Sequence, residues 1–293
     1  TLALAAARLT LRDPRIQMTA VNIALKARKY DDALRAMDGL LRARPELLSQ
    51  FVPVLSDLIS SDDAVSSVAK TAAQLPAWRP ALMAELFKQP DGWQLAYRLA
   101  NAQRQIGSEP IPEEMRQILT ALIKSGAFEQ AYFIWLDSLD PSALSRVRNI
   151  FDGGFELEPR NLFFDWTVAK TRNSVASVVA RPGSTSDRAL RVEFAGHQGF
   201  YSGVFQYLRL PPGQHVLHHE VLVQSLEASR GIVWRVTCLE TEKIIAESAE
   251  MLATGPWMDV STVFTVPAGQ CDSQSLTLQT LARSGLDTKL KGV

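Results

Sequence analysis

Near residue 150 the hydrophobic period of the chain changes, and no other feature of the 293 residues constrains the fold as much. Before that point apolar residues recur at three- and four-residue spacing, Gly and Pro fall at breaks, and β-branched runs are scarce. This is the pattern of amphipathic helices. After it come short β-branched or aromatic segments at roughly ten-residue spacing. They are "RALRVEFAG" (188–196), "GFYSGVFQYLRL" (199–210), "HVLHHEVLVQS" (215–225), "GIVWRVTCLE" (231–240), "KIIAESAEML" (243–252), "MDVSTVFTVP" (258–267) and "QSLTLQTLA" (274–282), parted by turns such as "LPPGQ" and "ATGPW". The join is "NIFDGGFELEPRNLFFDW" (149–166), whose paired glycines, polar break and aromatic cluster continue no helix. The patterns predict a multi-domain α + β chain, with a helical domain over 1–148 and an antiparallel β-sandwich over 149–293.

Charge and motifs narrow the chemistry. The 31 Lys and Arg balance the 31 Asp and Glu, so no basic footprint for nucleic acid is expected. No stretch reaches the roughly 18 apolar residues of a membrane span. The opening "TLALAAARLTLRD" carries Arg8 and Arg12 where a signal peptide would be apolar, and it lacks an initiator Met. The chain is therefore expected to begin inside a longer protein, and any membrane association would run through a segment outside it. There is no Gly-x-Ser-x-Gly elbow, His-Glu-x-x-His pair or phosphate loop, and the protein is expected not to be an enzyme. In "HVLHHE", neighbouring His218 and His219 point to opposite faces of a strand, whereas His215 and His219 share a face roughly 13 Å apart. A shared metal is not expected there. Cys238 and Cys271 are either two buried thiols or one disulfide.

In the first half, "ALKARKYDDALRAMDGLLRARP" (24–45) resembles the second half of a tetratricopeptide repeat. Tyr30, Ala33, Met37, Leu40 and Pro45 stand where that repeat has its aromatic, small, bulky, apolar and helix-ending residues. In "ILTALIKSGAFEQAYFIWLDSLDP" (118–141), Gly126, Phe128, Ala131 and Trp135 take the matching places, although Ser138 and an early Pro141 depart from them. "LTLRDP" (9–14) looks like the tail of an earlier repeat, and 46–115 is helical with breaks at 74–80, 88–93 and 107–114. The resemblance implies an α-solenoid of helix pairs that docks a protein partner.

In the second half, "FDGGFELEPRNLFFDW" resembles the first strand and loop of the galactose-binding-like jelly rolls, which include many carbohydrate-binding modules. Gly154-Phe155-Glu156 precedes Trp166 as in those families, and "ALRVEF", "LPPGQHVL" and "FTVP" follow in order. The resemblance implies carbohydrate binding, with Trp166, Tyr201, Gln206, Trp234 and Arg235 as contact residues. Tyr207, Trp257 and Gln279 are further candidates. It also implies a structural calcium at Glu156, although the family's second carboxylate, on the last strand, is absent from "LKGV". On "GIVWRVTC" (231–238), Trp234 shares a face with Ile232, Val236 and Cys238, the pattern of a core residue, whereas Arg235 shares the other with Val233 and Thr237. With Cys238 and Cys271 both near strand ends, the resemblance further implies a Cys238–Cys271 disulfide and an exported protein of a bacterial envelope or periplasm. The expected role is a non-catalytic part of polysaccharide assembly or export. The alternative is a protein scaffold whose jelly roll no longer binds sugar.

Overall fold

The computed structural model describes residues 14–89, 91–169, 171, 174–181, 188–198, 200–228, 230–281 and 289–293. The "LTLRDP" segment therefore lies, but for its last residue, outside the described residues. The chain divides into two compact units, Thr1–Ala127 and Phe128–Val293.

The first unit is helical: α1 (Pro14–Lys26), α2 (Tyr30–Ala43), α3 (Leu48–Ser60), α4 (Val65–Ala73), α5 (Arg79–Leu86), α6 (Gly92–Gln105) and α7 (Pro112–Lys124), with a 3-10 turn at Pro45–Leu47. The boundaries follow the sequence. Pro112 opens α7, where its missing N–H costs nothing. Gly92 opens α6 against the carbonyl of Leu86, where a Cβ would collide with backbone. Ala33, Met37, Leu40 and Leu41 of α2 are all buried, which is the face their spacing marks out. The unit also buries an ion pair. Arg79 Nε and Nη2 donate to both oxygens of Glu114 at 2.7 and 2.6 Å, Nη1 donates to the Ala72 carbonyl, and Nη2 also reaches Gln103 Oε1 at 2.9 Å. One guanidinium thus ties α4, α5, α6 and α7 with its donors paired. Removing a single partner of such a buried pair costs about 3–5 kcal/mol. Among the described residues, no helix is long and apolar enough to cross a membrane.

The second unit opens with α8 (Phe128–Asp137) and α9 (Pro141–Leu144), then carries, among the described residues, ten strands: β1 (Thr167–Val168), β2 (Ser174–Ala180), β3 (Arg188–Gln198), β4 (Ser202–Leu208), β5 (Gly213–Val221), β6 (Ile232–Cys238), β7 (Ile244–Glu247), β8 (Met258–Val266), β9 (Gln274–Thr280) and β10 (Lys289–Gly292). They form a five-stranded sheet in the order β1-β4-β9-β6-β7, a three-stranded sheet β10-β3-β2 and a two-stranded sheet β5-β8. Every pairing is antiparallel. All three sheets feed one core: Val204, Leu208, Val236, Leu276 and Leu278 from the first, Phe194 from the second, Leu217, Phe264 and Val266 from the third. Cys238 and Cys271 form a disulfide with Cα atoms 5.1 Å apart, pinning the end of β6 to the turn before β9.

Helix α8 carries the Phe128, Ala131 and Trp135 of the second repeat-like stretch, and its aromatics meet the join segment and β4. Phe128 meets Phe164 edge-on at 5.0 Å and Tyr207 at 5.8 Å, and Trp135 meets Phe151 edge-on at 5.1 Å. These contacts place the helix with the strands of its own unit.

Candidate functional site

On any strand, alternate residues face opposite ways. In the five-stranded sheet one set closes on the core, and the other lies on the opposite face. There, register places five side chains in one line across all the strands. Thr167 of β1 pairs with Phe205 of β4, Phe205 with Thr277 of β9, Thr277 with Arg235 of β6, and Arg235 with Glu247 of β7. All five residues are at least partly exposed, although the Thr167 hydroxyl is itself buried, whereas their chain neighbours Val204, Gln206, Leu276, Leu278, Val236 and Ala246 are buried. Five strands leave four gaps of about 4.8 Å, so the line runs for roughly 19 Å.

The row has a charged end and an aromatic end. Arg235 donates to Glu247 Oε2 through Nη2 at 2.7 Å and Nε at 3.1 Å. Gln279 lies one pair along β9, and with its oxygen turned toward Arg235 it accepts from Nε at 3.2 Å. The guanidinium is thus held between Glu247 and Gln279. At the other end Phe205 joins Tyr207 and Phe163, with ring centroids 5.4 Å apart for Phe205 and Tyr207, and 5.7 Å for the stacked Phe163 and Tyr207. A second, shorter line, Tyr207–Ser275–Thr237, runs beside the first. Thr277, Ser275 and Thr237 supply hydroxyls, Arg235 supplies donors and Glu247 acceptors. The formal charges of the row cancel.

The aromatic end is held under backbone strain. Phe163 has φ +68°, a conformation that bulky residues rarely adopt. Its carbonyl accepts from Tyr207 N at 2.7 Å while its ring stacks on Tyr207. Asp152, Phe155 and Asn161 of the same join segment also have positive φ. Each is fixed by its neighbours. The Asp152 carboxylate accepts from Leu157 N at 2.8 Å, Phe155 stacks on Trp166 at 4.8 Å, and Asn161 Oδ1 accepts from Val168 N at 2.7 Å. Strain of this kind costs about 1–3 kcal/mol per residue and persists only where the surroundings over-determine it. The Asp165 carboxylate beneath the segment accepts from Leu162 N at 2.8 Å and Arg160 Nε at 3.1 Å, and burial pushes its pKa up.

Of the contact residues expected from sequence, Arg235 alone lies in this row, with Tyr207 and Gln279 beside it. Trp166 is 4% exposed, its Nε1 donates to the Asp152 carbonyl, and its ring is enclosed by Phe155 and Trp234. Tyr201, also 4% exposed, packs edge-on against Phe194. Gln206 is 1% exposed, and its amide both donates to and accepts from the backbone of Phe151. Trp234 faces the core beside Val236. As folded, Trp166, Tyr201 and Gln206 hold the unit together and offer no stacking face to a sugar, and Trp234 is partly buried against the same core. The reason is the alternation for Trp166, Gln206 and Trp234, which fall on the inward set, and the register shift between Ser202 and Val204 for Tyr201, which joins the core although it has the parity of Phe205. Trp257 is 40% exposed and carries the Arg181 guanidinium over one side of its ring at 3.5 Å.

The residue proposed for calcium is differently engaged. The Glu156 carboxylate pairs with Arg146, whose guanidinium also lies 3.7 Å from Asp152. Glu156 thus has a cation of the chain's own. Among the described residues no group of three or more His, Cys, Asp or Glu side chains is placed to hold a metal ion. Arg146, Asp152, Gly153, Gly154 and Glu156 line an open cleft of about 390 Å³. His218 and His219 do point to opposite faces of β5. His218 Nδ1 meets Ser261 Oγ at 3.1 Å, and the ring nitrogens of His219 are buried with no hydrogen-bond partner among the described residues.

No family model and no curated protein matches the chain. Among solved structures, a Clostridium thermocellum endo-1,4-β-D-xylanase 10B comprising CBM22-1 and GH10 modules, complexed with xylohexaose, aligns at 16% identity and TM-score 0.30, covering 44% of this chain and 26% of that one. The CBM22-2 xylan-binding domain of Paenibacillus barcinonensis Xyn10C aligns at 12% identity and TM-score 0.27, covering 44% of this chain and 99% of that one. This chain therefore spans about a quarter of the length of the first. At TM-scores this low, neither likeness bears on what this chain does.

Proposed function

We propose that the strand-bearing unit is a non-catalytic carbohydrate-binding module, and that a polysaccharide chain lies along the Thr167–Phe205–Thr277–Arg235–Glu247 row. The observation that carries this reading is the unbroken register of the five side chains across the sheet. A chain of sugar rings needs an extended track of donors and acceptors with at least one flat apolar face. Phe205 supplies that face, Arg235 and Glu247 supply oriented polar groups, and the hydroxyl side chains fill the middle. The cancelling charges suit a neutral glycan, and a track of roughly 19 Å suits several linked sugars better than one.

On the same reading the helical domain, residues 1–148 by its sequence pattern, is a tetratricopeptide-like solenoid that docks a protein partner. The strand-bearing domain is a galactose-binding-like jelly roll. The whole would serve polysaccharide assembly or export in a bacterial envelope, where the Cys238–Cys271 disulfide suits an oxidising compartment. The burial of Trp166 and Tyr201 favours the alternative, a scaffold without sugar binding.

The experiment is titration of the full chain with a panel of neutral and acidic polysaccharides, xylan included, alongside Phe205→Ala. Saturable binding to a neutral glycan that weakens at least about tenfold in Phe205→Ala supports the module. A full panel without binding leaves the scaffold as the account of this unit.

A further inference from the structure

The edges of the three sheets differ in charge. In the five-stranded sheet one edge is β1, only two residues long, and the other is β7, which ends in Glu247 next to Arg235. The two-stranded sheet exposes His218 on β5 and Asp259 on β8. In the three-stranded sheet, β10 carries an exposed Lys291 and is covered along its outer side by the backbone of Gln224 and Glu227, which pairs with Val293 and Lys291. Charged or very short edges are the means by which proteins discourage strand addition. β2 is the exception. Its seven residues, SVASVVA (174–180), contain no charge, no Pro and no Gly. They pair along their whole length with β3 from Ser174↔Phe194 to Ala180↔Arg188, and β2 is the last strand of its sheet. No other described helix or strand runs alongside it. The flanking Arg181 turns away to pair with Glu220 and cover Trp257.

We infer that β2 is a homodimerisation edge, pairing antiparallel with β2 of a second copy about a two-fold axis at Ser177. The sequence is near-symmetric about that residue, which is what a two-fold contact requires of one strand. Antiparallel pairing in this register sets Ser177 opposite Ser177, Ala176 opposite Val178 and Val175 opposite Val179 of the second copy. No like charges meet, and two valine pairs form on one face. Val175 is 67% exposed in the single chain, and its partner across the axis would cover it. The two three-stranded sheets would join into one of six strands, a size common in globular proteins. A heterologous partner strand would be under no such symmetry, and nothing in β2 supplies charge or shape for one. This inference is independent of the glycan reading.

The test is mass by light scattering after size exclusion, across a concentration series of the full chain. The single chain is 32.4 kDa. The expected result is a concentration-dependent rise toward twice that mass. Ser177→Lys and Ser177→Glu should each stay monomeric, because each opposes like charges across the axis. An equimolar mixture of the two should restore the dimer. Ser177 is exposed, so circular dichroism of both variants should match the wild type. A wild type that holds at 32.4 kDa throughout, a Ser177→Lys variant that dimerises like it, or a mixture that fails to pair would each overturn the inference.

Discussion

The five-stranded sheet has two faces built from the same strands, and they use their side chains in opposite ways. Inward, Val204, Gln206, Val236, Leu276 and Leu278 alternate with outward Phe205, Arg235 and Thr277. The inward set is sealed by aromatics and a disulfide. Of the outward set, Phe205, Arg235 and Thr277 stay partly in contact with solvent and Arg235 pairs laterally with Glu247, whereas Val233 and Gln279, one pair along on the same face, are buried. The difference teaches that residue type alone does not mark a ligand site here. The tryptophan that most resembled a sugar platform serves the inward face, and a threonine–arginine–glutamate row occupies the other.

The comparison breaks most readily at Trp166. Replacing it with Ala removes a buried indole, its stacking on Phe155 and its bond to the Asp152 carbonyl. Chemical denaturation should show a loss of about 3–5 kcal/mol. Were Trp166 a ligand residue on an open surface, the loss would be a fraction of that. Reduction of Cys238–Cys271 should follow. A loop of 33 residues in sequence separation carries about 3–4 kcal/mol on the chain-entropy account. Denaturation with and without a thiol reductant reads this directly. Gln206→Ala should cost about 1–3 kcal/mol, because it leaves the buried N–H and carbonyl of Phe151 unpaired.

The smallest effect extends the two-face comparison to β5 and depends on pH. His219 points inward, and burial first, with the neighbouring His218 second, holds its pKa below the usual imidazole value of 6.5. The unfolded chain therefore binds the proton more readily than the fold does. Stability from this group is present above pH 6.5 and falls as the pH drops toward the depressed folded value. Denaturation midpoints between pH 7.5 and 5 should fall for the wild type, and fall less for His219→Gln.

Much of the fold was legible because strand period and turn chemistry are local. The seven strand segments read from sequence all appear, as β3 to β9. β2 escaped because its run lacks the polar alternation that marks a half-buried strand, which is also what leaves it an uncharged edge. β10 falls at "LKGV", where the resemblance places the last strand, although "KLKG" is too short to carry a period of its own. The sorting of β6 into Trp234 with Val236 on one face and Arg235 with Thr237 on the other was readable from parity alone. Parity does not say which face is inward, so it does not separate Trp166 and Gln206 from Arg235, and the register shift that turns Tyr201 to the core carries no local signal. The five-residue row depends on register between strands distant in sequence, and no local signal carries that.

The most direct test of the account sets two adjacent residues of β6 against each other, Arg235→Ala and Val236→Ala, each measured by denaturation and by titration with the glycan found for the wild type. Val236 is 1% exposed, so its truncation should cost about 2 kcal/mol or more and leave affinity unchanged. Arg235, in a partly exposed ion pair, should cost less than about 1 kcal/mol and lower affinity at least tenfold. If Arg235→Ala binds the glycan as the wild type does, or Val236→Ala is the variant that loses it, the outward row is not the binding face.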